Sequence, residues 1–134
     1  MERLVENSCQ KILIVDDHTE VQKLLEIVLN KDGRRFFRAG SGEEAIAVAR
    51  RERPEVILLD IMMPGEIDGL EVTRILKKDP LTADSFVITM TAKVQKKDRI
   101  LALQAGADDY VSKPFNFPEL EEKVEGVYRR LESA

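Results

Sequence analysis

The chain has 134 residues, 43% of them hydrophobic, which suits one ordinary core and is too little for two. Its 21 basic and 25 acidic residues give a formal net charge of -4, which argues against a nucleic-acid-binding surface. One cysteine, Cys9, excludes an internal disulfide framework, and no apolar run reaches the ~18 residues of a membrane helix. We therefore expect one cytoplasmic domain without a signal peptide.

Strand and helix patterns alternate along the whole chain. Strands are predicted at 11–15, 34–39, 55–59, 86–90 and 109–112, and three of them are apolar almost throughout. Such strands are typical of a parallel sheet that is covered on both faces. Amphipathic stripes lie between and after them, for example Leu120, Val124, Val127 and Leu131. The alternation predicts a doubly wound α/β domain in which a βα unit occurs five times.

Polar side chains mark the predicted helix starts. Four capping boxes are predicted, in which Thr19 pairs with Gln22, Ser41 with Glu44, Asp68 with Glu71, and Asn116 with Glu119. Gly33, Gly106 and the stretch "KKDPLT" are predicted to end helices. We expect residues 1–10 to form a flexible N-terminal extension and residues 11–131 to form the domain, with no output domain in the chain.

The residues directly after four of the strands carry the chemistry. They are the pair Asp16-Asp17, then Asp60, Thr91 and Lys113. In open α/β sheets the ligand lies outside the carboxyl ends of the strands, and a strand order of 2-1-3-4-5 would place these four ends side by side. Each residue alone is equally consistent with a helix cap or a solvated turn. Three carboxylates, a hydroxyl and an ammonium at adjacent strand ends favour a functional site.

Four motifs in this order and spacing resemble the receiver domain of bacterial two-component response regulators, the chemotaxis-regulator-like family. They are "ILIVDD" (12–17), "ILLDIMMP" (57–64), "TMTA" (89–92) and "GADDYVSKPF" (106–115). The resemblance covers residues 10 to 131. It implies a flavodoxin-like, five-stranded parallel sheet of order 2-1-3-4-5 with helices on both faces.

The resemblance also implies a role for each site residue. Asp60 matches the aspartate that accepts a phosphoryl group from a sensor histidine kinase or a histidine phosphotransfer protein. The matching Mg²⁺ ligands are Asp17 directly, Asp16 mainly through water, Asp60, and the backbone carbonyl of Met62. Thr91 and Lys113 match the hydroxyl and the ammonium that contact the phosphoryl oxygens. The family further implies a cis bond between Lys113 and Pro114.

A signalling switch is implied as well. In the family the hydroxyl that matches Thr91 moves toward the phosphoryl group, and the ring that matches Tyr110 turns inward. The surface expected to change comprises residues 96–106, 109–112 and 117–131, where a second copy, another partner or an output domain would dock. The alternative is that Tyr110 is an ordinary aromatic residue of an edge strand. Met62 and Lys93, which flank the expected phosphoryl group, are poor bases for water, so slow self-hydrolysis is expected.

Two features need separate interpretations. His18, the only histidine, is either a second metal ligand or phosphate relay, or a solvated residue at a helix entrance, and the latter is favoured. Met63 matches a core position of the family, which argues against soft-metal binding. The stretch "MPGEIDG" has one residue more than the family's usual loop, because Gly65, Glu66 and Ile67 precede Asp68. This longer loop alters the rim that a partner would touch.

Two rival functions share the fold. A Mg²⁺-dependent phosphohydrolase with an aspartyl nucleophile would usually need a second acid two residues after Asp60, where Met62 stands. A flavodoxin-like cofactor binder would need phosphate-cradling loops after the first strand, and the acidic stretch "DDHTE" repels phosphate. A signalling domain whose only activities are self-phosphorylation and self-dephosphorylation is therefore the favoured hypothesis.

Overall fold

The computed structural model describes residues 9–63, 65–92 and 96–133. The strands are β1 (Gln10–Val15), β2 (Arg34–Ala39), β3 (Val56–Asp60), β4 (Phe86–Thr91) and β5 (Asp109–Ser112). The helices are α1 (Thr19–Leu29), α2 (Gly42–Glu52), α3 (Gly69–Lys78), α4 (Lys96–Ala105) and α5 (Phe117–Ser133). All five predicted strands are confirmed within one residue at each end. In the described part of the chain, no helix has both the length and the apolar character needed to cross a bilayer.

The sheet is parallel, with the strand order β2-β1-β3-β4-β5. This order confirms the prediction, because β1 lies between β2 and β3 and the later strands follow in sequence. The register pairs Val15 with Leu59, so Asp16 and Asp60 follow at the same level of neighbouring strands. Thr91 pairs with Ser112, which places Lys113 directly after the last paired residue of β5. The carboxyl ends of the four strands therefore form one continuous edge.

Alternate side chains of each central strand enter two different apolar layers, which is why these strands are apolar over most of their length. One layer lies between the sheet and helices α2, α3 and α4, and it includes Leu13, Leu59 and Val72. The other lies beneath α1 and α5 and includes Ile14, Leu58 and Val124. Both faces of the sheet are therefore covered, and the chemistry is confined to the strand ends.

Three of the four predicted helix caps are confirmed. The side chains of Ser41, Asp68 and Asn116 accept hydrogen bonds from the backbone N–H groups of Glu44, Glu71 and Glu119. The prediction for α1 is wrong, because its N-cap is His18, which makes no side-chain cap bond, and Thr19 is already helical. The amide of Gln22 instead donates to the carbonyls of Asp16 (2.6 Å) and Ala39 (3.3 Å). Because Gln22 is buried and bonded to the ends of two strands, it does not form the predicted capping box with Thr19.

Two other boundaries differ from the sequence prediction. Helix α1 ends at Leu29 with Asn30 as its C-cap, so Gly33, with a φ of 81°, serves the turn before β2. Gly106 does follow α4, with a φ of 109°. Strand β1 begins at Gln10, inside the predicted extension, because Gln10 donates its N–H to Gly33 O and its side chain accepts from Arg34. Residues 1–8 lie outside the described part of the chain.

Candidate functional site

Asp16 is held at the end of β1 by contacts to both of its carboxylate oxygens. Its side chain is 0% exposed. Oδ1 accepts the backbone N–H of His18 at 2.9 Å, and Oδ2 accepts a hydrogen bond from Lys113 Nζ at 2.9 Å. Gln22 fixes its backbone carbonyl. Asp16 is therefore a rigid, buried anion with one ammonium beside it.

Asp17 presents an oxygen atom without a hydrogen-bond partner. Its Oδ1 is shielded from solvent and accepts no hydrogen bond from the described residues. His18 Nδ1 lies 3.3 Å from this atom without hydrogen-bond geometry, and 3.2 Å from Asp16 Oδ1. A shielded carboxylate oxygen is costly unless a cation or a donor faces it. The three side chains each place one potential ligand atom within 4.8 Å of the others.

Asp60 is the last residue of β3, and its side chain is 5% exposed. Oδ1 accepts the backbone N–H of Met62 at 3.0 Å, and Oδ2 lies 3.4 Å from Lys113 Nζ. Burial raises the pKa of the Asp60 carboxyl, and the charge of Asp16 adds to this, while Lys113 and the Met62 N–H act in the opposite direction. The ionised Asp60 is thus held in a site that favours additional positive charge.

Lys113 connects the strand ends across the sheet. The Lys113 side chain is 21% exposed, and its ammonium contacts Asp16 and Asp60. The backbone N–H of Lys113 donates to the carbonyl oxygen of Thr91 at 2.8 Å. Burial lowers the pKa of Lys113, but the hydrogen bond to Asp16 and the charges of Asp60 and Asp16 outweigh it, so the pKa is raised. The Lys113-Pro114 bond is cis, which confirms the prediction. Lys113 therefore stays a cation over the physiological range.

Thr91 ends β4 and lies beside an apolar cavity. The residue is buried, and with Ala92 it lines one side of a space of about 290 Å³ whose other walls include Ile61, Leu70 and Leu101. A larger cavity of about 370 Å³ lies at the amino ends of the strands, near Phe86 and the C-terminal part of α5, and Asp16, Asp17 and Asp60 do not line it. Of these two cavities, the one next to Thr91 lies on the side of Asp60, because Ile61 and Met62 line it.

Tyr110 lies on β5, the edge strand that follows β4 in the sheet. Its ring is half-buried, with the Arg99 guanidinium 5.1 Å and the Lys123 ammonium 5.9 Å from its centroid. Arg99 Nε is buried and has no hydrogen-bond partner in the described part of the chain, so the ring face is a principal neighbour of that guanidinium. The position of Tyr110 agrees with the alternative that it is an ordinary aromatic residue of an edge strand. The switch through Thr91 and Tyr110 stays a prediction.

The loop after Asp60 is wedged against two helix starts. A Cβ atom on Gly69 would lie 2.3 Å from the backbone oxygen of Asp60, and one on Gly42 would lie 2.7 Å from the Ile67 side chain. Ile67 comes from the lengthened part of the loop and packs against the first apolar layer. Pro64 and, in the loop after β4, Lys93 lie outside the described residues. Met62 is exposed, and Met63 is buried, as its match to a core position of the family predicted.

The structure brings Asp16, Asp17, Asp60 and Lys113 together, with Thr91 bonded to Lys113 through its backbone. Sequence reasoning missed three supporting residues, Gln22, Gly42 and Gly69. Signals for the two glycines were present, because each directly follows a capping residue, where a close approach of backbone is common. Gln22 carried no such signal, since its partners are carbonyls of two different strands.

Comparison with known proteins identifies the relatives of this chain. The family described as "Response regulator receiver domain" matches residues 12–125. A probable transcriptional regulator, ycf27, from Pyropia yezoensis is 42% identical over 96% of this chain and 51% of its own length. The alkaline phosphatase synthesis transcriptional regulatory protein PhoP of Bacillus subtilis is 39% identical over 93% of this chain and 51% of its length. The chain thus spans about half the length of these curated relatives.

Solved structures agree with this assignment. A putative response regulator from Chloroflexus aurantiacus superposes with a TM-score of 0.82 and 36% identity, covering 88% of this chain and 96% of that one. The receiver domain of the Francisella response regulator 1452 superposes with a TM-score of 0.82 and 30% identity, covering 91% and 98%. Both the sequence match and the strand-end geometry lead to one conclusion. This chain belongs to the response regulator receiver domain family, a family of signalling domains.

Proposed function

We propose that Asp60 accepts a phosphoryl group from the phosphohistidine of a sensor kinase or a histidine phosphotransfer protein. The observation that carries this proposal is the position of Asp60 Oδ2, 3.4 Å from an ammonium that also binds Asp16 at 2.9 Å. A carboxylate oxygen of Asp60 attacks phosphorus, the phosphorus–nitrogen bond of the donor breaks, and the released imidazole takes up a proton. The chain supplies placement and charge for this transfer.

Lys113 and Thr91 are the proposed contacts of the incoming phosphoryl group. Lys113 already lies between two buried carboxylates, so its ammonium can turn toward phosphoryl oxygens without leaving the site. The Met62 N–H, bonded to Asp60 Oδ1 at 3.0 Å, orients the carboxylate and leaves the other oxygen on the side of Lys113. Preoriented donors of this kind stabilise developing charge without reorganising during the reaction.

Mg²⁺ is the proposed cofactor, and the residues fit it. Asp17 Oδ1 is a shielded oxygen that accepts no hydrogen bond from the described residues, and Asp16, Asp60 and the carbonyl of Met62 add hard oxygen donors. When bound, the ion would neutralise the clustered acids and the phosphoryl oxygens. The raised pKa of Asp60, caused chiefly by burial, supports a site in which an added cation is favoured.

The proposed output surface comprises α4, β5 and α5. Three large apolar side chains of α4, Ile100, Leu101 and Leu103, are exposed on the described structure. We expect phosphorylation to change this surface through Thr91 and Tyr110, and to control docking of a second copy or of an output domain. Relatives of this chain are named as transcriptional regulators, which supports an output domain in the native protein.

The proposed activities of the domain itself are self-phosphorylation and slow self-dephosphorylation. Met62, exposed two residues after Asp60, offers no base that would activate water. The same residue occupies the place where a phosphohydrolase with an aspartyl nucleophile would usually carry its second acid. We therefore expect a phosphoryl group on Asp60 to persist. Its loss within seconds at room temperature would contradict this expectation.

Intact-mass measurement after incubation with Mg²⁺ and a small acyl phosphate tests the proposal. The wild type should gain the mass of one phosphoryl group per chain, and Asp60→Asn should gain none, because an amide is a poor nucleophile. Asp32→Asn, which changes an exposed acid in the turn before β2, should behave as the wild type. Uptake by Asp60→Asn at the wild-type rate would refute the assignment, and steady turnover of simple phosphate esters would favour the phosphohydrolase.

A further inference from the structure

His18 is the one described side chain at the acid cluster that offers a nitrogen ligand. Its ring is 64% exposed as a side chain, yet Nδ1 lies 3.2 Å from Asp16 Oδ1 and 3.3 Å from Asp17 Oδ1. The ring contributes nothing to the cap of α1, since the N-cap makes no side-chain hydrogen bond. The ring therefore lies where it contacts Asp16 and Asp17, and it does not cap the helix.

The His18 nitrogen lies about as far from each acid oxygen as two ligands of one ion lie from each other. Neighbouring ligands with bonds of ~2.1 Å at a right angle lie ~3.0 Å apart, and at tetrahedral angles ~3.4 Å apart. The two measured separations from Nδ1 fall between these values. These separations suit either a hydrogen bond donated by Nδ1 or a metal ion shared by the nitrogen and the two carboxylate oxygens.

The environment of Asp17 favours a metal ion, and not only a hydrogen bond from Nδ1, as the reason why the three side chains lie together. Its Oδ1 is shielded from solvent and has no hydrogen-bond partner in the part of the chain that the structure describes, although the His18 nitrogen is close. A proton on Nδ1 serves Asp16, to which the ring has hydrogen-bond geometry, and leaves Asp17 unsatisfied. An ion ligated by all three atoms satisfies both acids at once.

We propose that His18 is a nitrogen ligand for divalent transition-metal ions at this cluster, and that it makes the site prefer them to Mg²⁺. The inference rests on the proposed function, which places a divalent cation at Asp16 and Asp17. Mg²⁺ selects oxygen donors, whereas Co²⁺, Ni²⁺ and Zn²⁺ bind imidazole well, so an added imidazole raises affinity for the second group of ions. His18 thereby strengthens the preference of the receiver site for transition-metal ions when both kinds are present.

Calorimetric titration of the untagged chain with CoCl₂ and with MgCl₂ tests this proposal in the wild type, His18→Gln and Glu20→Gln. The preference for Co²⁺, defined as the ratio of the two association constants, should fall at least ~10-fold in His18→Gln, because loss of even an outer-shell partner commonly costs that much. Glu20→Gln removes a carboxylate from the first turn of the same helix, outside the donor group, and should keep the wild-type preference. A smaller fall in His18→Gln overturns the proposal.

Proton NMR of the Co²⁺ complex provides a second measurement that does not depend on affinity. The chain has one histidine, so paramagnetically shifted imidazole protons in the wild type can arise only from His18. Their presence supports ligation, and their absence at saturating Co²⁺ overturns it. If Mg²⁺ stabilises the wild type but the Co²⁺ preference does not respond to His18→Gln, only this inference fails. If Mg²⁺ neither binds nor stabilises the wild type, the proposed cofactor fails as well.

Discussion

Replacing Lys113 by methionine should strongly destabilise the metal-free domain. The ammonium is 2.9 Å from Asp16 and 3.4 Å from Asp60, whose side chains are 0% and 5% exposed. At an effective dielectric constant near 20, Coulomb's law assigns these contacts about 6 and about 5 kcal/mol before desolvation is subtracted. Methionine keeps most of the apolar stem, so the change isolates the loss of charge.

The net effect is smaller, because the ammonium itself regains hydration on unfolding. Removing one partner of a fully buried ion pair costs about 3–5 kcal/mol, and Lys113 is partly exposed, so we expect a loss of about 2–4 kcal/mol. For a chain of this size, that loss lowers the melting temperature by about 8–16 °C. Saturating Mg²⁺ should restore part of the loss, since a cation at the cluster replaces the missing positive charge.

Lys123→Met is the matched control. Lys123 Nζ lies 3.0 Å from both carboxylate oxygens of Asp109, whose side chain is 28% exposed. A pair of this exposure contributes at most about 1 kcal/mol. Urea denaturation of both variants in a chelator, and again in Mg²⁺, measures the difference. If Lys113→Met costs no more than Lys123→Met, or if Mg²⁺ stabilises the variant less than the wild type, the electrostatic account of the site is wrong.

Three further predictions concern the acceptor, a helix start and the switch. Without metal, Asp60→Asn should be more stable than the wild type at neutral pH. Because burial raises the pKa of Asp60, the wild type loses stability as the pH rises through the folded-state pKa. The stability that the variant gains should therefore vanish in acid, which thermal melts across pH would show. Gly69→Ala should lower the free energy of unfolding by about 1–3 kcal/mol or more in denaturant melts, since its Cβ would lie 2.3 Å from the Asp60 backbone oxygen. Gly126→Ala is the control: its Cβ would have Arg129 as its nearest described neighbour, at 3.7 Å, so it should raise the free energy of unfolding by about 0.5–1 kcal/mol. Amide chemical shifts with and without a phosphoryl mimic should change from the Asp60 loop through Tyr110, and changes confined to the loop would reject the switch while leaving the acceptor in place.

The sequence by itself was sufficient for the fold and for the members of the acid cluster. Uninterrupted apolar strands such as Val56–Asp60 are stable only with both faces covered, so their pattern predicted a parallel, doubly wound sheet. Such a sheet collects its strand ends at one edge, and the order 2-1-3-4-5 that the resemblance implied placed Asp16, Asp60 and Lys113 near one another. Local caps were predictable where partners lie three residues apart, as for Ser41, Asp68 and Asn116.

Only the tertiary structure decided how these residues are held. The start of α1 was mispredicted because Gln22 satisfies carbonyls of β1 and β2, which are distant partners that local spacing does not reveal. The close fits of Gly42 and Gly69 likewise depend on where the loop after Asp60 packs. His18 shows both contributions. From the sequence a solvated ring at a helix entrance was favoured, and the ring is 64% exposed at the N-cap of α1. Its ring nitrogen nevertheless lies 3.2–3.3 Å from both acids, because the backbone at the end of β1 turns the three side chains toward one point.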